Sequence, residues 1–467
     1  MVFYMQFEKY FKLLKKNGQE HILQFWDEYS DLQKREIIKQ IDSIDFPLLE
    51  KLVNLTSDKS QQDIEMQLDE AETVSLEERK LNDDDMQKSG EQILRSGKVG
   101  AFLVAGGQGS RLGFEGPKGA YPITPVKKKT LFQLHAEKIL AMSGEYGVTI
   151  PWYIMTSTGN HSDTISFFKE NNFFGLAEND VMFFSQDMLP AVDKNGKLML
   201  EAKDRIFMSP NGHGGSLKAL WDSGAYLDLV KRNIEYLFYF QVDNVLVNIC
   251  DPVFLGYHKK YNAEMSSKVV RKAFPEEKMG IICKANGKTG VVEYSDLSDK
   301  DMYAETESGE LKYWAGSIAI HFINTSFIEK ENKRGFQLPY HVAQKNIPFI
   351  DSNGQLKKSD EKNGYKFETF VFDALAHCEN TITLEVKRED EFSALKNKEG
   401  IDSEETAIRD MKNLYLSWMK NIGIEIPENF NITDIQIEIS PLFAFSEQIL
   451  KEKKEQIPPF SKKMYLK

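Results

Sequence analysis

The stretch VGAFLVAGGQGSRLGFEGPKGAYP, residues 99–122, decides the fold. It opens with seven apolar or small residues, VGAFLVA, and then runs directly into glycines. A short continuous apolar run of this kind is typical of a strand buried on both faces of a parallel sheet. Gly106, Gly107 and Gly109 allow positive φ and a close approach of the backbone to a ligand. Because backbone N–H groups in such a loop form a concave anion site, the stretch predicts a strand followed by an anion-binding loop.

Two cations follow the glycines, and their positions separate the known glycine-rich motifs. Arg111 and Lys118 are seven residues apart. A Walker A loop needs G-x4-G-K-[ST], but Lys118 is followed by Gly119. A dinucleotide loop needs G-x-G-x-x-G, but Leu112 takes the place of the third glycine, and lysines 127–129 stand where a ribose-binding acid is expected. Neither an ATPase nor a NAD enzyme is favoured, and a strand-to-helix turn with surface cations stays open on these residues alone.

Apolar runs alternate with helical patterns beyond this stretch. Thr130 and Gln133 form a T-x-x-Q capping box, which predicts a helix that begins there. The alternation from residue 99 to about 260 predicts an α/β domain with a mainly parallel sheet, and the closer strands after about 265 predict an antiparallel addition. The further strand candidates are Tyr153–Thr156, Val181–Phe184, Tyr236–Val242, Gly280–Cys283 and Val291–Tyr294.

The two ends of the chain have different patterns. Residues 1–55 carry apolar residues at helical spacing and predict helices, whereas residues 56–97 are polar and acidic and predict a connecting arm or an exposed helix rather than a core segment. Near the other end, a helix around Arg409–Lys420 and the alternating IQIEIS, residues 435–440, predict a small separate C-terminal lobe. These changes divide the chain into a helical region and arm at 1–97, a central domain at 98–398 and a lobe at 399–467.

Composition excludes several classes of protein. The 467 residues carry 59 Lys and Arg against 71 Asp and Glu, a formal net charge of −12, which argues against a partner such as nucleic acid or an anionic membrane surface. Three separated cysteines form no disulfide framework, and the histidines form no zinc motif. No apolar run is long enough to span a membrane, and charges interrupt the N-terminal run that a secretory signal would need. We therefore expect a cytoplasmic protein.

Many short motifs, taken in order, resemble one family. The glycine stretch with GPKG is similar to the signature of the eukaryotic-type UDP-N-acetylglucosamine pyrophosphorylases, within the UDP-sugar pyrophosphorylases. The resemblance covers some 425 residues and implies that the central domain is a catalytic, Rossmann-like α/β nucleotidyltransferase domain, with an N-terminal helical region and a small C-terminal β-rich lobe. The other motifs that carry it are GQEHILQFW (18–26), PWYIMTS (151–157), MLPA (188–191), NGHGG (211–215), QVDNVLV (241–247), VVEYS (291–295), HVAQKNIP (341–348), KFETFVFD (366–373), REDEFSALKN (388–397) and EISPL (438–442).

The resemblance implies a uridylyltransferase. Its substrates would be UTP and N-acetylglucosamine 1-phosphate, and its products UDP-N-acetylglucosamine and pyrophosphate. The sugar phosphate is already ionised near neutral pH, so the protein must mainly align two polyanions and compensate their charge. A hard divalent cation, Mg²⁺ with Mn²⁺ as a substitute, is therefore expected as cofactor. We expect a monomer or a weak homo-oligomer.

The resemblance also assigns roles to residues, each of which could otherwise be an ordinary surface or core residue. Arg111 and Lys118 would be catalytic and hold the phosphates. The remaining residues of the nucleotide site would be Val104, Ala105, Gly106, Gly107, Gln186, Gly212, Asp243 and Lys366. Of these, Asp243 would also bind the metal. Those of the sugar site would be His213, Glu293, Tyr294, Ser317, Phe370, Phe372 and Lys396. The period-2 spacing of the two phenylalanines predicts that both lie on one face of a strand.

Two positions depart from the family pattern. The family has asparagine where this chain has His213 and Ser317. Both positions lie near the sugar in the family, so the acetamido pocket could differ in shape. A broader UDP-sugar pyrophosphorylase that accepts glucose or galactose 1-phosphate therefore stays open. So does a catalytically silent UDP-sugar-binding regulator, although the retained Arg111, Lys118 and Asp243 disfavour it. A protein-interaction scaffold has only the acidic arm in its favour.

Overall fold

A computed structural model describes residues 2–57, 66–427 and 434–467. These residues form two compact units, each assembled from segments that are distant along the chain. The first, called the helical unit, contains residues 2–57, 186–215 and 338–371. The second, called the sheet unit, contains residues 66–185, 216–337, 372–427 and 434–467. The three-part division at residues 97 and 398 stays a prediction.

The helices and strands of the described residues are numbered in chain order. The α-helices are α1 Val2–Lys16, α2 Asp31–Asp42, α3 Phe46–Ser57, α4 Leu76–Arg95, α5 Leu131–Tyr146, α6 His161–Glu170, α7 Ser216–Asp222, α8 Ala225–Lys231, α9 Pro252–Lys260, α10 Asp299–Met302, α11 Thr325–Lys333, α12 Arg388–Glu391, α13 Glu404–Asn421 and α14 Glu447–Glu452. The strands are β1 Leu68–Glu70, β2 Thr73–Val74, β3 Val99–Val104, β4 Trp152–Thr156, β5 Val181–Ser185, β6 Met188–Pro190, β7 Val192–Asp193, β8 Leu200–Ala202, β9 Arg205–Ile206, β10 Met208–Pro210, β11 Tyr236–Gln241, β12 Met265–Arg271, β13 Ile281–Ala285, β14 Lys288–Val292, β15 Ala315–Asn324, β16 His341–Lys345, β17 Phe349–Ile350, β18 Leu356–Lys357, β19 Gly364–Glu368, β20 Thr381–Glu385, β21 Gln436–Ile439 and β22 Lys463–Leu466.

The sheet unit is built on one large mixed sheet. Its strands run in the order β2-β20-β12-β15-β11-β3-β4-β5, and only β15 is antiparallel to its neighbours β11 and β12 along that path. The hairpin β13–β14 and the short β1 are added in antiparallel fashion. The predicted α/β class, with a mostly parallel sheet and an antiparallel addition after residue 265, is confirmed. From β3 the sheet continues through β4 and β5 on one side, whereas β11 lies on the other side of β3. Ligands of open α/β sheets bind at such a switch in strand order, outside the carboxyl ends of the strands.

The apolar runs become strands because both faces of the sheet are covered. Ala101 and Phe102 on β3, and Phe238 and Tyr239 on β11, are all fully buried although they point alternately to opposite faces. A strand of this kind cannot show the apolar–polar alternation of a half-exposed strand. Burial on two faces therefore explains the continuous apolar pattern.

α5 follows the glycine stretch and closes one face of the sheet. Its N-cap is Thr130, whose hydroxyl accepts a hydrogen bond from the Gln133 N–H at 3.2 Å, as predicted. The reciprocal half of the capping box was predicted wrongly, because the Gln133 side-chain oxygen does not accept from the Thr130 N–H. The Gln133 amide nitrogen donates to Glu137 at 3.0 Å. Ala136 and Ile139 face the core and are fully buried.

The helical unit has a separate core. α1, α2 and α3 bury Leu14, Ile37 and Leu52 completely, together with Ile22 from a 3-10 turn. Short strands of the same unit complete this core, among them β19 through the fully buried Phe367. The prediction of helices over residues 1–55 is confirmed for the described residues.

The acidic arm predicted over residues 56–97 is partly wrong. Residues 58–65 lie outside the described residues, but α4 packs tightly on α9. A Cβ on Gly90 would lie 1.8 Å from the Pro252 carbonyl oxygen, and a Cβ on Gly256 would lie 2.0 Å from the Met86 carbonyl oxygen. The two helices therefore touch backbone to backbone, which a charge-rich sequence with few large apolar residues does not reveal.

The C-terminal segment also differs from its prediction. The alternating IQIEIS does form a strand, β21, which pairs in parallel with β22. Within the described part of the segment, however, the 18-residue helix α13 outweighs these two four-residue strands, so a β-rich lobe is wrong. Ile437 and Met411 of this segment are buried in the same core as the central sheet. No helix among the described residues combines the length and apolarity that a membrane span needs.

Candidate active site

The glycine stretch folds back on itself at the carboxyl end of β3. The Lys118 N–H donates to the Gly107 carbonyl at 3.1 Å, and the Gly109 N–H donates to the Gly116 carbonyl at 2.9 Å. The stem of Lys118 lies against Gly107, where a Cβ would meet Lys118 Cε at 3.7 Å. The loop therefore presents Lys118 beside the strand end, as a phosphate-binding loop must present its lysine.

The expected positive φ angles fall on other glycines of the loop. Gly109 has φ −79°, and the left-handed angles belong to Gly113 and Gly116 rather than to Gly106, Gly107 or Gly109. Gly109 is required for space instead, because a Cβ there would lie 2.7 Å from the Phe114 ring. The prediction of positive φ was therefore wrong for the three glycines, although their place at the strand end is correct.

Lys118 forms an ion pair with Asp243. Its ammonium lies 3.2 Å from Asp243 Oδ2, and both side chains are largely buried. The parallel register of β3 and β11 aligns Val104 with Gln241, so the residues that follow both strands emerge at the same edge of the sheet. The structure thus joins two residues that are 125 positions apart and that the sequence predicts to share one site.

Side chains of α5 hold the loop that carries Asp243. His135 Nε2 donates to the Val242 carbonyl at 3.0 Å, and the Lys138 ammonium donates to the carbonyls of Val245 and Val247 at 2.9 and 2.8 Å. Complete burial lowers the pKa of His135 to about 3, so the ring is neutral and carries its hydrogen on Nε2. Burial likewise lowers the pKa of Lys138 to about 7. The backbone on both sides of Asp243 is therefore fixed by buried donors.

Lys396 reaches the same region through a backbone contact. The Leu395 N–H donates to the Asp243 carbonyl at 2.9 Å, which places Lys396 one residue from the Asp243 main chain. The Lys396 ammonium lies 3.3 Å from Asp402 Oδ2 and remains 42% exposed. Arg111 lies on a one-turn 3-10 helix, Ser110–Leu112, and is exposed. Both cations are available to an anionic ligand.

Two predicted sugar residues lie on either side of Gly280. The Ser317 N–H donates to the Gly280 carbonyl at 2.8 Å, and a Cβ on Gly280 would lie 3.2 Å from Glu293 Oε1. β15 bulges beside Ser317, since Lys268 alone lies opposite three residues, 318–320, of which Ala319 has φ +54°. Tyr294, the neighbour of Glu293, is exposed.

The helical unit contains its own cluster around the NGHGG loop. Gly212 has φ +82°, and a Cβ there would lie 2.4 Å from the Thr369 carbonyl oxygen. The Thr369 N–H donates to the Asn211 carbonyl, and the Gly214 N–H donates to the Thr369 carbonyl, both at 2.8 Å. The loop can therefore lie flat on residues 368–370 only because it contains glycine.

Three aromatic rings contact each other in this cluster. The ring of Phe370 stacks on that of His213, with 5.2 Å between centroids, and contacts that of His341 in a tilted arrangement at 4.4 Å. His213 Nδ1 accepts a hydrogen bond from the Val371 N–H at 3.2 Å. Burial and the neighbouring His341 lower the pKa of His213 to about 4, so its ring is neutral near pH 7.

Gln186 and Lys366 lie on strands of the same unit. Gln186 is buried and lies two residues before β6. The pairing of β6 with β10 sets Met188 opposite Pro210 and so brings the start of β6 to the NGHGG loop. Lys366 is half-buried on β19, and its ammonium lies 4.8 Å from the centre of the Phe207 ring. Burial lowers the pKa of Lys366.

The prediction that Phe370 and Phe372 share a strand face was wrong. β19 ends at Glu368, so Phe370 lies in the segment after the strand, whereas Phe372 is buried in the 3-10 helix Val371–His377. The cause is the NGHGG loop, which takes the hydrogen bonds of Thr369 that a neighbouring strand would otherwise take. The apolar run FVF looks like a strand because this competition is invisible in the sequence.

Comparison with known proteins agrees with this geometry. A family model described as UTP–glucose-1-phosphate uridylyltransferase matches residues 48–461. The chain belongs to this family. A human protein named UDP-N-acetylhexosamine pyrophosphorylase-like protein 1 is 35% identical, with 93% of this chain and 92% of that protein covered. The UDP-N-acetylglucosamine pyrophosphorylase of Saccharomyces cerevisiae is 32% identical, with 96% and 97% covered. The resemblance stated from the motifs is confirmed.

A solved structure shows the same fold. The chain superposes on the uridine diphosphate N-acetylglucosamine pyrophosphorylase of Trypanosoma brucei with a TM-score of 0.85 and 24% sequence identity, over 99% of this chain and 98% of that one. The nucleotidyltransferase fold predicted for this family is therefore confirmed. Roles of individual residues stay predictions.

Asp243 is the family residue best placed to hold a divalent cation in this chain. No group of three or more metal-ligating side chains occurs among the described residues. One carboxylate at a strand end nevertheless fits Mg²⁺, which keeps several waters and takes further ligands from substrate phosphates. Asp243 would supply that single protein ligand.

Two further residues support the site and were missed in the sequence. The Asn160 amide donates to the carbonyls of Ala105 at 2.9 Å and Gly107 at 3.2 Å, which fixes the glycine loop. The ring of His341 contacts that of Phe370. Asn160 follows the strand β4, next to β3 in the sheet, so its place after a buried strand was the available signal.

Proposed function

We propose that this member of the uridylyltransferase family converts UTP and N-acetylglucosamine 1-phosphate into UDP-N-acetylglucosamine and pyrophosphate. The observation that carries the proposal is the Lys118–Asp243 pair, packed on the glycine loop where two central strands end. Membership of the family supports uridylyl transfer. Relatives named as UDP-N-acetylglucosamine or UDP-N-acetylhexosamine enzymes support the sugar.

In the proposed reaction an oxygen of the sugar phosphate attacks the α-phosphorus of UTP. The new P–O bond forms at the α-phosphorus as its bond to the oxygen that bridges to the β-phosphorus breaks. Pyrophosphate then leaves with that oxygen. The two reactants carry a combined charge on the order of −6 near pH 7, so they repel each other. The protein must therefore align the reactants and compensate their charge, and it needs no nucleophilic side chain.

The charged residues predicted for the site in the sheet unit have separate roles in this proposal. Lys118 and Arg111 would compensate the charge of the triphosphate, and Lys396 would bind the sugar phosphate. When bound at Asp243, Mg²⁺ would supply further positive charge to the phosphates. Glu293 and Ser317 would face the hexose, where a carboxylate can accept hydrogen bonds from sugar hydroxyls.

The residues of the helical unit would select the base and the acetamido group. Gln186 can donate and accept hydrogen bonds, as the O4 and N3–H of uracil require. Gly212 would let the backbone approach the base, while neutral His213 and Phe370 would contact the N-acetyl group. Lys366 would bind the UTP phosphates.

The test is pyrophosphate release from UTP with a panel of sugar 1-phosphates in the presence of Mg²⁺. We expect the highest kcat/KM with N-acetylglucosamine 1-phosphate. Because Ser317 stands where the family has asparagine, glucose and galactose 1-phosphates belong in the panel, and a higher kcat/KM with either would favour the broader pyrophosphorylase. Binding of UDP-sugar without turnover of any substrate would favour the silent regulator and refute the enzyme.

A further inference from the structure

Asn244, which directly follows Asp243, makes an unusually complete set of hydrogen bonds. Its side chain is 3% exposed. The amide nitrogen donates to the Glu391 carbonyl at 2.8 Å, while the amide oxygen accepts from the N–H groups of Ser393 at 3.1 Å and Leu246 at 3.2 Å. One buried side chain therefore joins the loop after β11 to the segment of residues 391–396, which we call the strap.

Backbone hydrogen bonds continue the same contact. The Val245 N–H donates to the Ser393 carbonyl at 3.0 Å, and the Leu395 N–H donates to the Asp243 carbonyl at 2.9 Å. Asn244 and Ala394 thereby form an isolated antiparallel bridge. Asp243 directly precedes Asn244, and Lys396 lies two residues after Ala394. The relative position of the Asp243 and Lys396 side chains therefore depends on this bridge.

The strap is also fixed on its far side. The fully buried Lys268 contacts Glu391 Oε1 at 2.5 Å and Asp251 Oδ2 at 2.6 Å. The Ser393 hydroxyl donates to Asp410 at 2.8 Å. These contacts hold the strap independently of Asn244. A substitution of Asn244 should therefore change how the strap is aligned with the loop after β11, while both segments stay folded.

We propose that Asn244 is a positioning residue that aligns Asp243 with Lys396. The inference rests on the proposed function, in which Asp243 takes the cation and Lys396 takes the sugar phosphate. The two groups must act on the same reacting phosphates, and a small displacement of either lowers the rate strongly. Asn244 makes that alignment without touching a substrate.

The test is the substitution Asn244→Asp in the full-length protein. It keeps the shape and both acceptor contacts but replaces the donor to Glu391 with a carboxylate oxygen that repels that carbonyl. We expect the Mg²⁺ concentration for half-maximal rate and the KM for the sugar phosphate to rise together, by about 10- to 100-fold, as is typical when a supporting residue of a metal site is lost.

Asn324→Asp is the matched control. The Asn324 amide nitrogen donates to the Ala263 carbonyl at 2.9 Å, and its oxygen accepts from His258 Nε2 at 2.9 Å. Asn324 pairs with Tyr236 at the start of β11, whereas Asp243 follows the end of that strand. The control should lose stability like Asn244→Asp but leave the Mg²⁺ dependence and the sugar-phosphate KM unchanged.

Two measurements distinguish a failure of the positioning role of Asn244 from a failure of the proposed function. If Asn244→Asp loses only stability, with wild-type Mg²⁺ dependence and wild-type KM, the positioning role is refuted. If the wild-type protein itself shows no turnover, the proposed function fails, and amide hydrogen exchange still tests the alignment. The N–H groups of Val245 and Leu395, which form the backbone contact between the two segments, should exchange faster in Asn244→Asp than in Asn324→Asp, and equal exchange in the two variants would overturn the role.

Discussion

Lys118 is the residue for which charge, burial and position agree most closely. Its stem packs on Gly107 and its ammonium pairs with Asp243, so the cation is held at the strand end before any ligand arrives. A preorganised cation of this kind stabilises developing phosphate charge without reorganising in the transition state. The residue could be predicted from the GPKG motif, and the structure adds the partner that orients it.

Replacing Lys118 with methionine should therefore remove the charge while nearly preserving the shape. We expect Lys118→Met to lower kcat/KM by about 100- to 1,000-fold, the range seen when one preorganised donor is lost. Pyrophosphate release measures it. Lys98→Met is the control, because Lys98 pairs with Glu235 at the other end of the same strands. Turnover of Lys118→Met within a few-fold of the wild type would contradict the role.

Ser317 is the residue that should set the choice of sugar. It is half-buried beside the bulge of β15, and its N–H is fixed by Gly280, so a longer side chain would project from a rigid backbone. We expect Ser317→Asn to raise the ratio of kcat/KM for N-acetylglucosamine 1-phosphate to that for glucose 1-phosphate by about tenfold, because a hydrogen bond to the acetamido group discriminates more than shape.

The exposed Ser295→Asn provides the comparison for this change. An unaltered ratio in Ser317→Asn, or an equal shift in Ser295→Asn, would show that Ser317 does not contact the C2 substituent. Either result would leave the reaction itself intact, because Ser317 contributes no charge to the phosphates.

Among the helices, the crossing of α4 and α9 has the most demanding contact. Gly90→Ala would bring a Cβ within 1.8 Å of the Pro252 carbonyl oxygen, so the helices would have to separate. We expect the free energy of unfolding to fall by about 1–3 kcal/mol or more. Denaturant unfolding followed by circular dichroism gives the value.

Gly144→Ala on α5 is the matched control. Nothing lies within 4 Å of a Cβ at Gly144, so alanine should instead stabilise the protein by roughly 0.5–1 kcal/mol through its higher helix propensity. Equal effects of the two substitutions would mean that the α4–α9 contact is not close-packed.

The elements that could be predicted are those whose pattern is local. β3, β4, β5 and β11 follow from continuous apolar runs, and α5 follows from its N-cap and spacing. Elements that depend on distant partners could not be predicted. The packing of α4 depends on Gly256, 166 residues after Gly90. The end of β19 depends on the NGHGG loop, which takes the hydrogen bonds of Thr369.

Considered over the whole molecule, neutral histidines occur in both units. His213 is half-buried in the helical unit, and His135 and His258 are buried in the sheet unit. Burial lowers the pKa of each, to about 3 for His135 and about 4 for the other two. The folded protein thus binds a proton at these rings only in acid, whereas the unfolded chain binds one near pH 6.5.

The sign of the resulting pH dependence follows. Between pH 6.5 and about 4 the unfolded chain holds more protons than the folded protein, so stability rises with pH in that window and is lost on acidification. For His258 alone the loss is about 2–3 kcal/mol at pH 4.5 relative to pH 8. We expect the thermal unfolding midpoint to fall steeply between pH 6.5 and 4.5.

The variant His258→Gln tests whether a buried ring causes this fall. Glutamine can still donate to Asn324, which accepts from His258 Nε2 in the wild type, but it does not titrate. The thermal unfolding midpoint of the variant should therefore fall less between pH 8 and pH 4.5 than that of the wild type. His161→Gln, at the half-buried first residue of α6, controls for the loss of any histidine. An identical pH dependence in His258→Gln and the wild type would show that protonation of this ring does not limit stability in acid.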